Sequence, residues 1–215
     1  MQHLIRRRIL QNPRIISVMQ ETDRGNYVAR DPYHDSPQGI GSNATISAPH
    51  MHAHCLELCQ HKLVPGARVL DIGCGSGYLT ACLTRLVGPS GKVVGVDHIP
   101  ALVELSRRNM NRDNPALLQS GVAVLVTGDG RQGYPQEAPY DVIHVGATSS
   151  TYPQALVDQL KPEGMLVVPE GDHGGAQDLV VYQKDSNGKL KRKVLFGVRY
   201  VPLTDAKAQL AELEI

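Results

Sequence analysis

Residues 69–77 read Val-Leu-Asp-Ile-Gly-Cys-Gly-Ser-Gly, and they restrict the possible folds more than any other stretch of this 215-residue chain. A short apolar run ends in an acid, and three glycines follow at single-residue spacing. Residues 78–87 then place Leu79, Cys82, Leu83 and Leu86 at helical intervals. The pattern is strand, tight turn, helix. Glycines permit the turn and let a ligand approach the backbone with no side chain in the way.

The alternation continues downstream. Val- and Ile-rich runs at 67–73, 92–97, 122–129, 140–147 and 164–171 read as strands, with helices expected over 78–87, 101–111 and 152–160. This order predicts an α/β fold with a doubly wound, mostly parallel sheet of Rossmann-like type. After Gly175 the pattern changes: 178–184, an Asp-Ser-Asn-Gly turn and 189–201 predict an antiparallel hairpin at the sheet edge. The first sixty or so residues read as a short basic helix, a turn-rich loop and a helix opening at Pro49. One domain is expected over 1–215, with a covering segment at 1–63, the core at 64–175 and the hairpin and tail at 176–215.

The bulk numbers exclude several classes. A net charge of +1 gives no reason to expect nucleic acid or an acidic membrane, and one Phe with no Trp leaves few platforms for stacking bases. No apolar run approaches the ~20 residues of a membrane helix. The four cysteines form no Cys-x-x-Cys pair and sit at apolar positions, as reduced core residues would. The N-terminus lacks a secretory apolar segment, and Glu21 and Asp23 follow the Arg6-Arg7-Arg8 run too closely for an organellar presequence. A cytoplasmic monomer is the expectation.

Two cofactors compete for the glycine loop. NAD enzymes favour Gly-x-Gly-x-x-Gly, which faces a helix N-terminus to a pyrophosphate. Here the loop is Gly-x-Gly-x-Gly with Asp71 just ahead of it. An acid there suits a cationic amino-acid ligand better, and S-adenosyl-L-methionine is such a ligand. None of the eight tyrosines has a lysine four residues on, as a common dehydrogenase pair would require. Asp97, at the end of the second strand, is placed to accept from ribose hydroxyls. Gly128-Asp129-Gly130 ends the third strand, where an acid can accept from an adenine amino group or simply make a turn.

Residues 45–61, Thr-Ile-Ser-Ala-Pro-His-Met-His-Ala-His-Cys-Leu-Glu-Leu-Cys-Gln-His, pose a separate question. With Pro49 as the first helical residue, Met51, Cys55, Leu58 and Cys59 share one face, while His50, His54, Glu57 and His61 share another. A single helix offers a metal two ligands, and no remote Cys/His cluster supplies the rest, so a solvated polar face is expected and no metal. His52 stands apart and should point into the domain. Ser47 and Thr45 precede the helix, where a hydroxyl can cap free N–H groups.

At this point the sequence closely resembles a known family. Residues 33–41 (Tyr-His-Asp-Ser-Pro-Gln-Gly-Ile-Gly), 44–52 (Ala-Thr-Ile-Ser-Ala-Pro-His-Met-His), 128–147, 156–171 and 197–205 are similar to the protein-L-isoaspartate (D-aspartate) O-methyltransferases. The resemblance covers nearly the whole chain. It implies a methyltransferase that uses S-adenosyl-L-methionine, leaving S-adenosyl-L-homocysteine, to esterify the free α-carboxylate of L-isoaspartyl residues in damaged proteins and peptides. The β-carboxylate of D-aspartyl residues is a further implied acceptor. The ester returns to aspartate through a succinimide, which is repair. By the same resemblance Ser47 is the active-site residue. Cofactor-binding positions are Ala44, Thr45, Ile46, Ser47, His52, Ile72, Gly73, Cys74, Gly75, Ser76, Asp97, Asp129, Gly130, Thr204 and Gln209, joined by Asp71 from the argument above.

Little machinery is needed for such a reaction. A carboxyl group of pKa roughly 3.5 is already ionised at neutral pH, so no general base is required. What remains is orientation, and a Ser47 hydroxyl can supply it to the substrate carboxylate. Departures from the family pattern are Cys74, where serine is common, the polar run 146–150, and Glu170, where a small apolar residue is usual. If Glu170 borders the substrate pocket, it should disfavour anionic peptides. Two rivals stand beside this reading. Asp31-Pro32-Tyr33 faintly echoes a motif of nucleic-acid amino methyltransferases, but precedes the glycine loop. A non-catalytic adaptor for isoaspartyl proteins is the other; it would be expected to carry a recruitment segment, and the intact Ser47 and glycine loop favour activity.

Overall fold

The computed structural model describes residues 1–211. Two helices, α1 (Gln2–Arg6) and α2 (Pro13–Glu21), open the chain, and a 3₁₀ turn (Arg24–Asn26) follows. One basic helix was expected there; Arg8 at φ 57° interrupts it, and Asn12 then caps α2 by accepting from Arg14 N–H at 2.9 Å. Pro13 occupies the first helical position, where its missing N–H costs nothing.

The turn-rich loop contains a small hairpin, β1 (Gln38–Gly41) and β2 (Ala44–Ile46). Its two turn residues, Ser42 and Asn43, both adopt left-handed backbone at φ 51° and 53°. That geometry matches the right-handed twist of short strands but is usually announced by Asn-Gly or Asp-Gly, so Ser-Asn between Gly41 and Ala44 reads as plain loop. Helix α3 (Pro49–Cys59) follows as expected.

The main sheet contains β3 (Arg68–Ile72), β4 (Lys92–Asp97), β5 (Ala123–Thr127), β6 (Tyr140–Val145), β7 (Leu160–Gly171), β8 (Gln177–Lys184) and β9 (Leu190–Val198). Their order is β5-β4-β3-β6-β7-β8-β9; the first five are parallel, and β8 and β9 add antiparallel. The doubly wound sheet and the C-terminal hairpin are therefore as the sequence indicates. Helices α4 (Tyr78–Val87), α5 (Pro100–Asp113), α6 (Ala116–Gln119), α7 (Gln154–Asp158) and α8 (Ala206–Ala211) accompany the sheet. Helix α7 is shorter than expected because β7 begins at Leu160, with Glu163 at φ 62° in an irregular stretch before regular pairing resumes at Met165.

Alternation along the strands sends Val69, Val142, Val167 and Leu179 to one face, under α2, α3, α4 and α5, and Leu70, Ile143, Leu166 and Val180 to the other, under α7. The N-terminal segment is fastened onto the first face by a buried ionic group. Asp113 on α5 accepts from Tyr27 Oη at 2.7 Å and from Arg85 Nη2 at 2.8 Å. This pins the turn carrying residues 24–27 against α4 and α5. Replacing Asp113 by Asn leaves the Arg85 guanidinium without its carboxylate in a largely buried position, and urea unfolding should show a loss of about 3 kcal/mol.

Candidate active site

Strand order reverses between β3 and β6: connections leave β3 toward β4 and β6 toward β7, on opposite sides. A crevice therefore opens beyond the C-terminal ends of these two strands, the place where open α/β sheets bind ligands. Gly146 N–H donates to Ile72 O at 2.8 Å and ties its two lips together. The glycine loop fills one lip. Gly73, Gly75 and Gly77 sit at φ 74°, 51° and 85°, and a Cβ on Gly77 would lie 3.2 Å from backbone atoms of Ser106, so glycine is required there by conformation and by space.

Asp97 ends β4 facing the loop. One of its oxygens accepts from Gly75 N–H at 3.1 Å and the other from Ile99 N–H at 3.1 Å. Burial raises its pKa, against the pull of these two donors. Asp97 shares a narrow crevice with Ala44, Thr45, Ile72, Gly130 and Gln209. Gln209 closes it from above: its amide donates to Ser42 O at 2.6 Å and its oxygen meets His98 Nε2 at 2.7 Å. Thr204 lines an adjoining hollow with Gln209. Asp129 does not line these crevices; its carboxylate is turned to Arg131, which donates from Nε at 2.9 Å and Nη2 at 2.7 Å. Gly130, its neighbour, supplies the lining instead.

Asp71 is 1% exposed, and its carboxylate is committed within the protein. Thr80 Oγ1 donates to it at 2.6 Å and His144 Nδ1 at 2.9 Å. His144 stands directly opposite Asp71 in the parallel register of β3 and β6. Burial works against a charged imidazole, yet the Asp71 carboxylate and the Cys55 sulfur raise its pKa to about 10. The pair lines a second crevice with Ile46, Ser47, His52, Cys74 and Ser76.

Ser47 also lines a third space, an open cleft of about 900 Å³ bounded by His50, His173, Gln177, Arg199 and Tyr200. Thr45 and Gly146 line all three spaces, so they meet at one point. Tyr200 faces the Ser47 hydroxyl and the Cys55 sulfur, and burial pushes its phenol well above the ordinary value.

Two expectations for residues 45–61 need correction. Neither Ser47 nor Thr45 caps α3: Ala48 is the cap residue, and Asp35 reaches across to accept from His50 N–H at 3.0 Å and to meet His50 Nδ1 at 2.8 Å. The polar row is also not simply solvated. Glu57 Oε1 accepts from the N–H groups of Gln11 at 2.7 Å and Asn12 at 2.8 Å, and the His54 ring lies 5.2 Å from that of Phe196. These side chains hold the N-terminal segment and β9, contacts that periodicity within one helix cannot reveal. The four cysteines are free and buried, as their apolar positions suggested.

Glu170 does not border the cleft. It extends the side of β7 that carries Leu166 and Val168, across the sheet from α3, where it pairs with Arg192 Nη2 at 2.6 Å and accepts from Tyr182 Oη. Its charge is neutralised there.

Three residues at the site were missed from sequence. His144 left a signal, a histidine in the apolar run 140–147 near a parallel strand end. Arg24, whose Nη2 donates to Ser47 O at the crevice, and Tyr200 left none, because each is brought in from a segment remote from the glycine loop.

A Rossmann-like sheet with this glycine loop, an acid at the end of the second strand and a crevice at the switch point defines the nucleotide-binding fold of methyltransferases. Residues 1–208 match the family model of protein-L-isoaspartate(D-aspartate) O-methyltransferases, and the chain belongs to that family. It is 46% identical over 202 residues to a protein-L-isoaspartate O-methyltransferase of Caenorhabditis elegans, covering 94% of this chain and 89% of the relative. It is 50% identical over 206 residues to protein-L-isoaspartate O-methyltransferase 1 of Arabidopsis thaliana, covering 94% and 88%. Among solved structures, a Plasmodium falciparum protein described as a protein-L-isoaspartate O-methyltransferase, in complex with S-adenosyl-L-homocysteine, superposes with a TM-score of 0.88. That match has 35% identity and covers 94% of this chain and 95% of the other.

Two outcomes follow from the geometry. Glu170→Val should leave KM for isoaspartyl peptides of any charge unchanged within about twofold, since the cleft does not sense that carboxylate; a charge-dependent change in steady-state kinetics would contradict its placement. The Asp71–His144 pair should give a pH-dependent stability. Because the folded pKa of His144 is raised to about 10, its contribution is fully present below the unfolded value of about 6.5 and is lost as pH rises through about 10. The excess Tm of wild type over His144→Asn should therefore shrink across that window in scanning calorimetry.

Proposed function

We propose that this chain performs the repair methylation of its family at the junction where the three spaces meet. Its methyl donor is S-adenosyl-L-methionine, and its acceptor is the free α-carboxylate of an L-isoaspartyl residue, with the β-carboxylate of D-aspartyl residues as a second acceptor. One observation carries the reading: Ser47 belongs both to the small crevice of the glycine loop and to the large cleft, so it stands where a small donor and a polypeptide acceptor would meet.

The residues present fit the donor. Asp97 keeps lone pairs beyond its two backbone bonds and would hold ribose hydroxyls. The positive-φ glycines open the loop backbone. Ala44, Thr45, Ile46, His52, Ile72, Gly130, Thr204 and Gln209 would enclose the rest, with Cys74 and Ser76 in the loop itself. Asp71 acts one step back, by holding His144. Asp129 acts through its loop, with its carboxylate shared by Arg131. When bound, the sulfonium donor supplies the methyl group and its own leaving group.

Everything else is orientation. The acceptor carboxylate is already an anion at neutral pH, so no side chain has to remove a proton. The Ser47 hydroxyl, free of any capping duty, donates to that carboxylate and aims one oxygen. No enzyme-bound ester forms, and Ser47 is not a nucleophile. The open cleft accepts extended chain from a damaged protein, which supports recognition of a backbone lesion rather than of a sequence. Action as a cytoplasmic monomer without nucleic acid or membrane belongs to the same proposed reading, supported by the near-neutral charge. The adaptor alternative loses its main support, because Glu170 is turned away from the cleft.

The test is transfer of labelled methyl from S-adenosyl-L-methionine to two peptides differing only in Asp or isoAsp at one position. Label on the isoAsp peptide alone, released as methanol in base, is expected. Ser47→Ala should lower kcat by about 10²-fold while leaving calorimetric S-adenosyl-L-homocysteine affinity within a few-fold. Absence of transfer by the wild type, with that affinity intact, would favour the adaptor.

A further inference from the structure

Arg24 is 5% exposed, and among the described residues none of its hydrogen bonds ends on a carboxylate. Asp35 acts on it only through charge, and burial lowers its pKa. A buried guanidinium without an acid costs several kcal/mol unless its donors are otherwise used. Its Nη2 donates to Ser47 O at 2.6 Å, its Nη1 lies 3.2 Å from His52 Nδ1, and its charge rests 5.3 Å from the centre of the Tyr78 ring. The Nε has no partner among the described residues. Filling space would need none of this. Both of its hydrogen bonds end on residues that line the crevice.

A guanidinium has donors and no acceptor, so His52 Nδ1 must accept. The neutral ring then carries its proton on Nε2, the one polar ring atom left for the crevice. The Ser47 carbonyl is held by the same group, in the turn just before Pro49. We propose that Arg24 is a positioning residue that fixes His52 as its Nε2–H tautomer and fixes the Ser47 backbone, so that imidazole donor and serine hydroxyl are presented together. The inference rests on the reading of Ser47 and His52 as site residues, and it adds what orients them.

The surroundings keep His52 uncharged. Burial is the largest influence, followed by the electrostatic influence of Arg24 on the 3₁₀ turn, His144 on β6 and His50 on α3, while Tyr78 on α4 packs its ring 5.0 Å away. All three act in one direction, lowering the His52 pKa well below its ordinary value.

The test is ¹⁵N NMR of the histidine rings in the full chain without ligand, with His52 assigned from the signal lost in His52→Gln. The expected result is a protonated Nε2, an unprotonated accepting Nδ1, and no titration between about pH 5.5 and 8, where a free histidine would titrate near 6.5. A protonated Nδ1, or titration near 6.5, would overturn the proposal with no variant needed. In Arg24→Met, His52 should become a tautomer mixture that titrates, and S-adenosyl-L-homocysteine affinity by calorimetry should weaken at least tenfold between pH 8 and 6. Arg24→Lys, which keeps a charge and a donor, should restore the Nε2–H form. If Arg24 served stability alone, Arg24→Met would lower Tm while leaving the His52 titration unchanged. Failure of the functional reading would look different: the tautomer as expected, and no methyl transfer to isoaspartyl peptide.

Discussion

Strands β3 and β6 run side by side in parallel, and the chain leaves them toward opposite edges of the sheet. With no connection crossing above them, the space beyond Ile72 and Val145 stays open, and every functional element borders it. The glycine loop leaves from one strand and Gly146 from the other. Asp71 and His144 face each other across the same pair, in register, so that a carboxylate and an imidazole share one buried spot at the floor of the crevice. In a low-dielectric setting such a pair is costly unless both partners are present and their remaining atoms are satisfied; Thr80 provides the second bond to Asp71.

The covering segment is held by polar anchors rather than by apolar packing alone. Asp113 takes Tyr27 and Arg85, Glu57 takes two backbone N–H groups near Asn12, and Asp35 takes His50 and His3. Each bond joins residues at least 15 positions apart. Together they set Arg24 over the turn between β2 and α3, and Arg24 in turn sets Ser47 and His52. The chemistry assigned to Ser47 demands little of the protein except placement, and placement is what this chain of anchors supplies.

Local pattern was enough for much of this. The strand–loop–helix at residues 67–87, the acid at Asp97 and the edge hairpin are properties of neighbouring residues, and their periodicity shows in the sequence. The small hairpin β1–β2 was missed because a Ser-Asn turn lacks the usual glycine signature. The His/Glu row of α3 was read as solvated because its partners lie in the first twelve residues, in Asp35 and in Phe196. For the same reason the sequence leaves open whether Glu170 borders the substrate pocket: a strand over 164–171 is legible, whereas the pairing of β7 with β8 that sends the carboxylate to the far face is not.

By itself the sequence determined the mostly parallel sheet, the position of the ligand loop and, through residues 44–52, the family. Backbone periodicity, glycine conformations and short motifs are set by residues a few places apart, and they survive in a linear reading. Only the tertiary structure decided which charges meet. Asp71 is committed to His144, Glu170 to Arg192, and Arg24 stands against Ser47 and His52 without an acid among the described residues. Those pairings depend on distances between elements, and an electrostatic interaction of a few ångströms has no image in the spacing of residues along the chain.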